Sequence, residues 1–413
     1  MGEVAVGVVG FEEALEIVLR HAAGLAVSST ESLPLLSSAN RVLAEPVLAD
    51  RDQPPFDRST RDGFALHSEQ FGSAPLQVAG QVRAGEQWQG GALERGAAIE
   101  IMTGAPVPEG ADAVVMVEHV EHADGTIRAT AGRTIHRGEN IVPRGSEARA
   151  GQTVLAAGTV IGAAEIALAA ACGQSHLTVY RKPTIAIVST GDELVEIEAT
   201  PALQEIRNSN SYGLAALVAE AGGDALRLPI APDRRVYLEE TIRAARHSDL
   251  MLLSGGVSMG KYDLVEEVLE LFGAEFFFTG VWMQPGKPVV FGHLPADGNH
   301  PTQYFFGLPG NPVSAQVTFH CFVELLLRAM RGADVSGPHF AQATLAEDVA
   351  GNAGLMRVLP ARLTTEGLRP LVRLVPWQGS GDLAANALAN CYAVLPPEKE
   401  RFAAGEVITV LLR

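Results

Sequence analysis

The chain has 413 residues, more than one ordinary hydrophobic core holds, and its length predicts two to four domains. Apolar residues make up 47% and charged residues 19% of it, a balance that is typical of a globular protein and excludes wholesale disorder. The 31 basic and 48 acidic side chains give a net charge of −17, which disfavours nucleic acid and anionic membranes as partners. Any site for an anion must therefore be built locally, from backbone N–H groups and a few cations.

The N-terminus carries Glu3 where a secretory signal peptide has basic residues. No apolar run approaches the length of a membrane span. Cys172, Cys321 and Cys391 are far apart in the sequence and lie in apolar surroundings, so we expect three reduced core thiols, with neither a disulfide nor a zinc site. These features favour a cytoplasmic protein.

The first predicted element is a helix over residues 11–21, because apolar residues recur there on one helical face. The stretch 51–65 follows, and it is too polar and too rich in proline to belong to a core. It mixes arginine with aspartate, including Asp62. A solvated loop and a loop that handles phosphate or metal are equally compatible with this composition.

Short β-like runs broken by glycine predict a compact β domain that reaches residue 141. Thr103 follows one of these runs and is either a turn hydroxyl or a ligand contact. Arg137 opens a basic, glycine-rich bend, and residues 161–171 beyond it predict a buried, alanine-rich helix. The β-like runs are 76–79, 98–102, 113–120 and 126–129.

A run at 183–188 that is apolar except for Thr184 is typical of a strand buried in a parallel sheet. Asp192 and Glu193 follow it, where catalysis or metal binding is often located, although the helix dipole also favours acids at a helix N-terminus. Asp233 is typical of a helix N-cap and Asp263 of a first-turn acid, yet both belong at the loop end of the same predicted sheet. Four acids beside a phosphate site imply a hard divalent cation, and we expect Mg²⁺.

Three glycine-rich turns give the α/β region its candidate ligand site. The strand 250–253 runs into the turn 254–260, and the strand 304–306 runs into the turn 307–314; each turn opens a helix. A third turn at 284–288 carries a lysine. Helix N-terminal N–H groups bind anions, and open α/β sheets bind ligands at the carboxyl ends of their strands, so we expect the three turns to converge on one crevice. The candidate contacts are Ser254, Gly255, Gly256, Ser258, Lys287, Pro309, Gly310 and Asn311.

Further helices are predicted at 212–221, after the polar capping run 208–211, and at 313–331. Beyond residue 334 the pattern is β-like again and predicts a small separate β barrel or sandwich. The sequence contains no internal repeat and no low-complexity tail.

Seven motifs, in order and spread over nearly the whole chain, resemble those of the molybdopterin molybdenumtransferase family, the MoeA proteins and the gephyrin E domain. The resemblance implies an α/β plus β fold with a central doubly wound α/β molybdopterin-binding domain, a flanking β domain and a small C-terminal β barrel. The motifs are Asp62-Gly63-Phe64-Ala65, Met102-Thr103-Gly104-Ala105-Pro106, Arg137-Gly138-Glu139-Asn140, Ser189-Thr190-Gly191-Asp192-Glu193-Leu194, Ser254-Gly255-Gly256-Val257-Ser258-Met259-Gly260, Pro285-Gly286-Lys287-Pro288 and Gly307-Leu308-Pro309-Gly310-Asn311-Pro312-Val313-Ser314.

Four domains in an L-shaped protomer of a homodimer are also implied by the resemblance. The implied reaction inserts molybdate into adenylylated molybdopterin with the help of Mg²⁺, and it releases AMP and the finished molybdenum cofactor. Molybdopterin adenylyltransferase and molybdoenzyme apoproteins are further partners that it suggests. The expected domains are 1–55 with 143–180 as an elongated linking domain, 56–142 as the β domain, 181–331 as the α/β domain and 335–413 as the barrel.

The resemblance also assigns roles to individual residues. Molybdate would be held by Lys287, Ser314, Arg357 and Ser380. Asp62, Thr103, Glu193, Asp233 and Asp263 would serve the pterin, the phosphates and Mg²⁺, with the four acids as catalytic residues and Asp233 and Asp263 as the metal ligands. Arg137 and the glycine-rich turns would bind substrate.

One position departs from part of the family, because Gln284 stands where some members have a second lysine. The neutral amide removes one positive charge from the expected oxyanion site and predicts weaker capture of molybdate. Three alternative functions stay open: an adenylyltransferase that makes the adenylylated pterin, a scaffold of the gephyrin type, and a pterin or molybdate carrier without turnover. The domains on both sides of the α/β region disfavour the first alternative.

Overall fold

The structure is a computed structural model, and it describes residues 7–25, 27, 29–255 and 264–413. The N-terminal helix Phe11–Ala23 confirms the predicted helix and extends it past His21. Its buried face, which includes Ala14 and Val18, packs against the late helix Glu324–Met330. The start of the chain thus joins the core of the α/β domain.

The segments on either side of the β domain pair with each other through short strands. Thr30–Pro34 pairs with His176–Tyr180, and Val47–Leu48 pairs with Thr153–Leu155, both antiparallel. The predicted helix is present as Ala163–Ala171. The prediction that it is buried is wrong, because Ala169 is its one fully buried residue. Small alanine side chains favour the helix but offer little apolar area, so one stripe is enough to pack it.

The β domain is a six-stranded sheet, and all four predicted runs contribute strands to it. The run 113–120 is not one strand, since the 3₁₀ turn Val117–His119 splits it into strands at opposite edges of the sheet. The prediction that 51–65 lies wholly outside a core is also wrong, because Phe64 and Ala65 are fully buried. The strand order is Ala113–Met116, Gly63–Leu66, Ala97–Ile101, Leu76–Val82, Thr126–Ala129 and Val120–Ala123.

The central domain is a six-stranded sheet covered on both faces, as predicted for a doubly wound fold. Alternate residues of the strand Thr184–Ser189 enter two different apolar clusters: Ile185 and Ile187 lie in one, Ala186 and Val188 in the other. This alternation is what a strand with helices on both faces requires. The strand order is Asp224–Arg227, Thr184–Ser189, Leu250–Ser254, Gln303–Leu308, Val290–Leu294 and Glu275–Phe278, of which the first four run parallel.

The helices of this domain follow the predictions closely. Ser209–Glu220 is capped by Asn208, whose side chain accepts a hydrogen bond from the Ser211 N–H. The predicted helix 313–331 is a continuous helical stretch of Pro312–Thr318, the π-helical segment Phe319–Val323 and Glu324–Met330. The other helices are Arg235–Ala245 and Leu264–Leu271.

The C-terminal region is a barrel and not a sandwich. Its strand Met356–Glu366 pairs with Arg369–Leu374 on one side and with Cys391–Leu395 on the other, which closes a ring of five strands. Phe340–Leu345 and Val407–Leu412 complete the ring, and the helix Leu383–Leu388 lies beside it.

The remaining short elements tie distant segments of the chain together. Cys172, Cys321 and Cys391 are buried free thiols, as predicted. No helix in the described ranges is both long and apolar enough to cross a bilayer. The predicted domain boundaries stay predictions. The short pairs are Val8–Val9 with Gly280–Val281, Arg58–Ser59 with Ile141–Val142, Leu194–Val195 with Ile206–Arg207, Met283–Gln284 with the start of Met356–Glu366, and Val349–Ala350 with Arg401–Phe402; the short 3₁₀ helices are Leu35–Ser38 and Ser68–Gln70.

Candidate functional site

A pocket of about 360 Å³ opens at the carboxyl ends of the central strands Leu250–Ser254 and Gln303–Leu308. Open α/β sheets bind their ligands at this edge. Most of its wall comes from the α/β domain, and two residues come from the barrel. Its lining consists of Thr190, Glu193, Leu194, Ile206, Arg207, Asn208, Ser209, Asn210, Ser254, Gly255, Gly310, Asn311, Pro312, Gly381 and Leu383.

Gly255 is the point at which the turn after Leu250–Ser254 leaves the sheet. Its φ is +92°, and a Cβ at this position would lie 2.4 Å from the carbonyl oxygen of Thr190. Side chains of L-residues rarely accept such a φ, and a backbone oxygen so close cannot be moved cheaply. Glycine is therefore required here, and the bare backbone forms part of the pocket wall.

Asn210 connects the two glycine-rich turns that meet in the pocket. Its Nδ2 donates hydrogen bonds to Ser254 Oγ at 3.0 Å and to the carbonyl oxygen of Gly310 at 2.7 Å. A Cβ on Gly310 would lie only 3.8 Å from the Cα of Gly255, so the two turns are in direct contact. This confirms the prediction that the turns 254–260 and 307–314 converge, as far as the described residues show it.

Glu193 enters the pocket from the strand end after Thr184–Ser189. Its carboxylate folds back over Gly191, where Oε2 lies 2.6 Å from the position that a Cβ would occupy. The carbonyl oxygen of Glu193 accepts a hydrogen bond from the Ile206 N–H at 2.9 Å. Because Gly191 has no side chain, the carboxylate of Glu193 fits in the space beside it. Glu193 is the only acidic residue among the described lining residues.

Asp192 and Asp233 meet beside the pocket and do not line it. Thr190 Oγ1 donates a 2.5 Å hydrogen bond to Asp233 Oδ1, and the Asp233 N–H donates to Asp192 Oδ1 at 3.1 Å. Asp233 is not a helix N-cap, because Arg234 holds that position. Its carboxylate is already used by Thr190, across the top of the sheet.

The described residues contain no group of three or more side chains that could hold a metal ion. Asp263, one of the two predicted Mg²⁺ ligands, lies outside the described residues. Mg²⁺ prefers oxygen ligands and is often held by one or two carboxylates together with substrate phosphates. The pair Asp192 and Asp233 fits a site of that kind, but it forms no complete protein cage.

The barrel closes one side of the pocket through the loop before its helix Leu383–Leu388. The carbonyl oxygen of Ser380 accepts a hydrogen bond from the Val313 N–H at 3.0 Å, and Asn386 Nδ2 donates to Gln316 Oε1 at 2.8 Å. Gly381 and Leu383 therefore reach the lining. Ser380 itself does not line the pocket, and Ser314 is buried under it at 4% exposure.

The turn 284–288 does not follow a strand of the central sheet, so the prediction of three strand ends in one sheet is wrong for it, and its residues do not line the pocket. The strand before it, Met283–Gln284, pairs with Met356 and Arg357 of the barrel instead of the central sheet. Lys287 Nζ lies 4.5 Å from the centroid of the Trp282 ring, which places the ammonium over an aromatic face.

Gln284 and Arg357 are register partners across the boundary of these two domains. Arg357 Nη1 donates to the carbonyl oxygen of Ala350 at 2.7 Å, while its Nε is buried without a partner. Burial lowers the pKa of the Arg357 guanidinium. The predicted molybdate residues Lys287 and Arg357 thus both lie outside the pocket lining.

Asp62 and Thr103 form a pair in the β domain. The N–H and the Oγ1 of Thr103 donate to Asp62 Oδ1 at 2.6 and 2.8 Å, and these two bonds lower the pKa of the Asp62 carboxyl. Both residues are exposed, as is Arg137 on the neighbouring bend. None of the three lines the pocket, so the described chain does not bring them to the central site.

The predicted site residues thus fall into three groups. Glu193, Ser254, Gly255, Gly310 and Asn311 line the pocket. Gly256, Ser258 and Asp263 lie outside the described residues, and the roles assigned to all of the candidates stay predictions. The candidates that are described but do not line it are Asp62, Thr103, Arg137, Asp233, Lys287, Pro309, Ser314, Arg357 and Ser380.

Sequence reasoning missed five polar lining residues, Thr190, Arg207, Asn208, Ser209 and Asn210. Asn208 and Asn210 belong to a run that is typical of a helix cap, and Asn208 does cap the helix. Because capping alone explains these residues, nothing in the sequence predicts them at the pocket. Arg207 and Thr190 carried no signal of their own, except that Thr190 directly follows a buried central strand.

Three family models match the chain in order. They describe the MoeA N-terminal region (domain I and II) over residues 9–173, a probable molybdopterin binding domain over residues 186–329, and the MoeA C-terminal region (domain IV) over residues 342–412. The pocket lies between parts of the second and the third match.

Relatives and solved structures cover nearly the whole chain. The molybdopterin molybdenumtransferase of Haemophilus influenzae is 35% identical over 390 residues, which are 93% of this chain and 94% of that protein. The protein of the same name from Nostoc sp. is 34% identical, over 92% of this chain and 88% of that protein.

Among solved structures, a molybdopterin biosynthesis MoeA protein from Pyrococcus horikoshii OT3 has a TM-score of 0.78 and 28% identity, and it covers 98% of this chain and 100% of that chain. Another solved structure, of a molybdopterin biosynthesis MoeA protein from Pyrococcus horikosii, has a TM-score of 0.70 and 31% identity, over 98% and 99% of the two chains. These matches confirm the multidomain fold that the motifs predicted. The chain therefore belongs to the MoeA family of molybdenum cofactor biosynthesis.

Proposed function

We propose that this chain is a molybdopterin molybdenumtransferase, which inserts molybdate into adenylylated molybdopterin and releases AMP. The observation that carries the proposal is the pocket at the edge of the central sheet. Its wall combines the bare backbone at Gly255 and Gly310, the amide of Asn210 and the acid Glu193, and the barrel covers one side. Such a wall suits a polar, phosphate-bearing ligand.

The chemistry requires no covalent nucleophile from the protein. The two dithiolene sulfurs replace oxygen ligands of molybdate, which leave as water, and a water molecule attacks the phosphoanhydride, so that AMP leaves and the pterin keeps its own phosphate. The protein's task is to hold two anionic reactants together within a chain of net charge −17. Pocket N–H and amide groups support binding of the pterin nucleotide, while Lys287 and Arg357, which lie outside the lining, are the proposed contacts for molybdate.

Mg²⁺ belongs to the proposal as the cation that would neutralise the phosphates. Asp233, with Asp192 beside it and with Asp263 as the predicted second ligand, would hold it. The test is activity after removal of metal with a chelator and after return of Mg²⁺. Full activity without divalent cation would remove Mg²⁺ from the proposal.

A homodimer is the second part of the proposal. Asp62 and Thr103 are assigned to the same reaction as Glu193, yet the pocket lining contains no residue of the β domain. A second copy of the chain that brings its Asp62 and Thr103 to the pocket would unite the two groups. Their exposure in this chain is compatible with such a contact. We also keep the cytoplasm as the expected location, because a dithiolene oxidises readily and a reducing compartment protects it.

The adenylyltransferase is the alternative that an experiment separates most directly. Purified protein is incubated with molybdopterin, ATP and Mg²⁺ in the absence of molybdate, and the products are separated by chromatography. The proposal predicts no adenylylated molybdopterin. Formation of that product at a catalytic rate would replace the proposed function with the alternative.

A further inference from the structure

The pocket carries one positive charge among its described lining residues, and that charge is Arg207. Arg207 belongs to none of the seven motifs that carry the resemblance. Lys287, Arg357 and Arg137, the cations that were expected to hold anions, all lie outside the lining. In a chain with 48 acidic and 31 basic side chains, long-range attraction of an anion is not available. Recognition of a phosphate in this pocket must come from a local charge.

The backbone at Arg207 is fixed from both sides. The strand Ile206–Arg207 pairs in parallel with Leu194–Val195, and the Asn208 N–H donates to the carbonyl oxygen of Val195 at 2.9 Å. Asn208 is 2% exposed, and its Oδ1 accepts from Ser189 Oγ and from the Ser211 N–H, both at 3.3 Å. Arg207 is therefore attached to the end of a central strand and to the start of a helix.

The guanidinium of Arg207 is oriented but not neutralised. Nε donates to the carbonyl oxygen of Ile197 at 3.0 Å. Within the described residues, no carboxylate forms an ion pair with it, and neither Nη atom has a hydrogen-bond partner. A planar guanidinium with both terminal nitrogens available matches the geometry of a phosphate, which accepts two parallel N–H bonds. Glu193, the acid of the same lining, cannot serve a phosphate and leaves that role to the arginine.

We propose that Arg207 is the residue that recognises the phosphate group of the nucleotide, in the adenylylated pterin and in the AMP that is released. The inference rests on the proposed function for the identity of the nucleotide, but it needs only that the pocket binds a nucleoside phosphate. The hydrogen bond from Nε to the carbonyl oxygen of Ile197 fixes the guanidinium relative to the loop 196–206. The two Nη atoms bind the phosphate.

The test measures AMP and adenosine binding by isothermal titration calorimetry to the full chain and to two variants, Arg207→Gln and Arg207→Lys. Wild type is expected to prefer AMP to adenosine. Arg207→Gln should lose roughly ten- to hundredfold in AMP affinity, the size of a charge-assisted hydrogen bond, and nothing in adenosine affinity. Arg207→Lys keeps the positive charge but lacks the two parallel N–H donors of the guanidinium, so it should bind AMP more tightly than Arg207→Gln and less tightly than wild type.

Arg369→Gln is the matched control, because Arg369 is an exposed arginine of the barrel hairpin and does not line the pocket. It should bind AMP like wild type. Raising the salt concentration should weaken AMP binding in wild type and in the control, and much less in Arg207→Gln. If Arg207 had only a structural role, Arg207→Gln would have lower thermal stability, and its affinities for AMP and for adenosine would change equally.

The two proposals fail in different ways. An AMP affinity of Arg207→Gln equal to wild type, or a wild type that does not bind AMP, overturns the role of Arg207. A wild type that binds AMP through Arg207 but forms no cofactor from adenylylated molybdopterin and molybdate overturns the proposed function and leaves the phosphate contact standing.

Discussion

The side-chain amide of Asn210 donates a 2.7 Å hydrogen bond to the carbonyl oxygen of Gly310, and this bond joins the start of one helix to the turn that opens another. The same nitrogen donates to Ser254 Oγ. One side chain therefore fixes the distance between the two glycine-rich turns of the pocket. The width of the pocket depends on this residue.

We predict that Asn210→Ala lowers kcat/KM for the adenylylated pterin roughly tenfold. The two turns lose the hydrogen-bond donor that they share, and the loss of these bonds weakens the positioning of the substrate by about 1–2 kcal/mol. The melting temperature should fall only slightly, since Asn210 is partly exposed and other groups hold the helix cap. Steady-state kinetics and a thermal melt measure the two effects. Asn352→Ala, at an exposed asparagine of the barrel region, is the control and should change neither. Unchanged kinetics in Asn210→Ala would remove the residue from the site.

Gly255→Ala should destabilise the protein by roughly 2–4 kcal/mol and abolish substrate binding, because the new Cβ meets a backbone oxygen at a φ of +92°. Chemical denaturation monitored by circular dichroism gives the free energy of unfolding. Gly298→Ala is the matched control, since a Cβ there has nothing within 4 Å and the φ is ordinary. Equal stability of the two variants would contradict the close approach of Gly255 to Thr190.

The homodimer proposal predicts complementation between two inactive variants. Asp62→Asn and Glu193→Gln should each be inactive as homodimers. In a one-to-one mixture after subunit exchange, half of the dimers are mixed and each of these has one intact site, so about one quarter of wild-type activity should return. The wild type carried through the same exchange is the control. A mixture that forms mixed dimers, shown by mass spectrometry, and stays inactive would exclude a site shared between copies.

Thr103 is expected to set the pKa of Asp62. Its N–H and hydroxyl stabilise the charged carboxylate, so Asp62 should titrate below the usual aspartate range, and Thr103→Val should raise that pKa part of the way back. A carboxyl with a lowered folded pKa adds stability above its unfolded pKa and loses that stability as the pH falls through the folded pKa. The difference between wild type and Thr103→Val should therefore appear near neutral pH and vanish in acid. NMR titration of the Asp62 carboxyl carbon measures the shift, and no shift in Thr103→Val would contradict the side-chain bond.

Much of the fold could be predicted because its elements carry strong local patterns. The run 183–188 is apolar except for Thr184, and the structure has a strand there with both faces buried, Thr184–Ser189. The run 113–120 was predicted as one β-like run, although the structure has two strands there, Ala113–Met116 and the start of Val120–Ala123. Only the 3₁₀ turn Val117–His119, which redirects the chain to the far edge of the sheet, separates its two strands. A redirection of this kind depends on tertiary pairing, which propensity does not describe.

The glycine-rich turns of the candidate site could be predicted from the sequence. The polar residues of the site could not, because their positions in the sequence are also explained by structural roles such as helix capping. Gly255 is required for a backbone reason, because its φ is +92° and a Cβ would lie 2.4 Å from the Thr190 carbonyl oxygen, and the adjacent glycines in the sequence indicate such a turn. Asn210 belongs to a helix-capping run, and Arg207 is a single arginine on a two-residue strand, so neither stands out. Lys287 was expected in the crevice because its turn resembles the other two, but the strand before it, Met283–Gln284, pairs with the barrel and not with the central sheet, and Lys287 does not line the pocket. Such pairing between distant segments leaves no periodic signal.

The central claim is that molybdate and adenylylated molybdopterin are turned over together. The most direct measurement incubates purified protein with adenylylated molybdopterin and Mg²⁺, varies molybdate, and follows AMP release together with reconstitution of a molybdenum-free apoenzyme. The account predicts that AMP and active cofactor rise in parallel with molybdate, with a half-saturating concentration that decreases when Gln284 is replaced by lysine. AMP release without active cofactor at any molybdate concentration, or no AMP release at all, would contradict it.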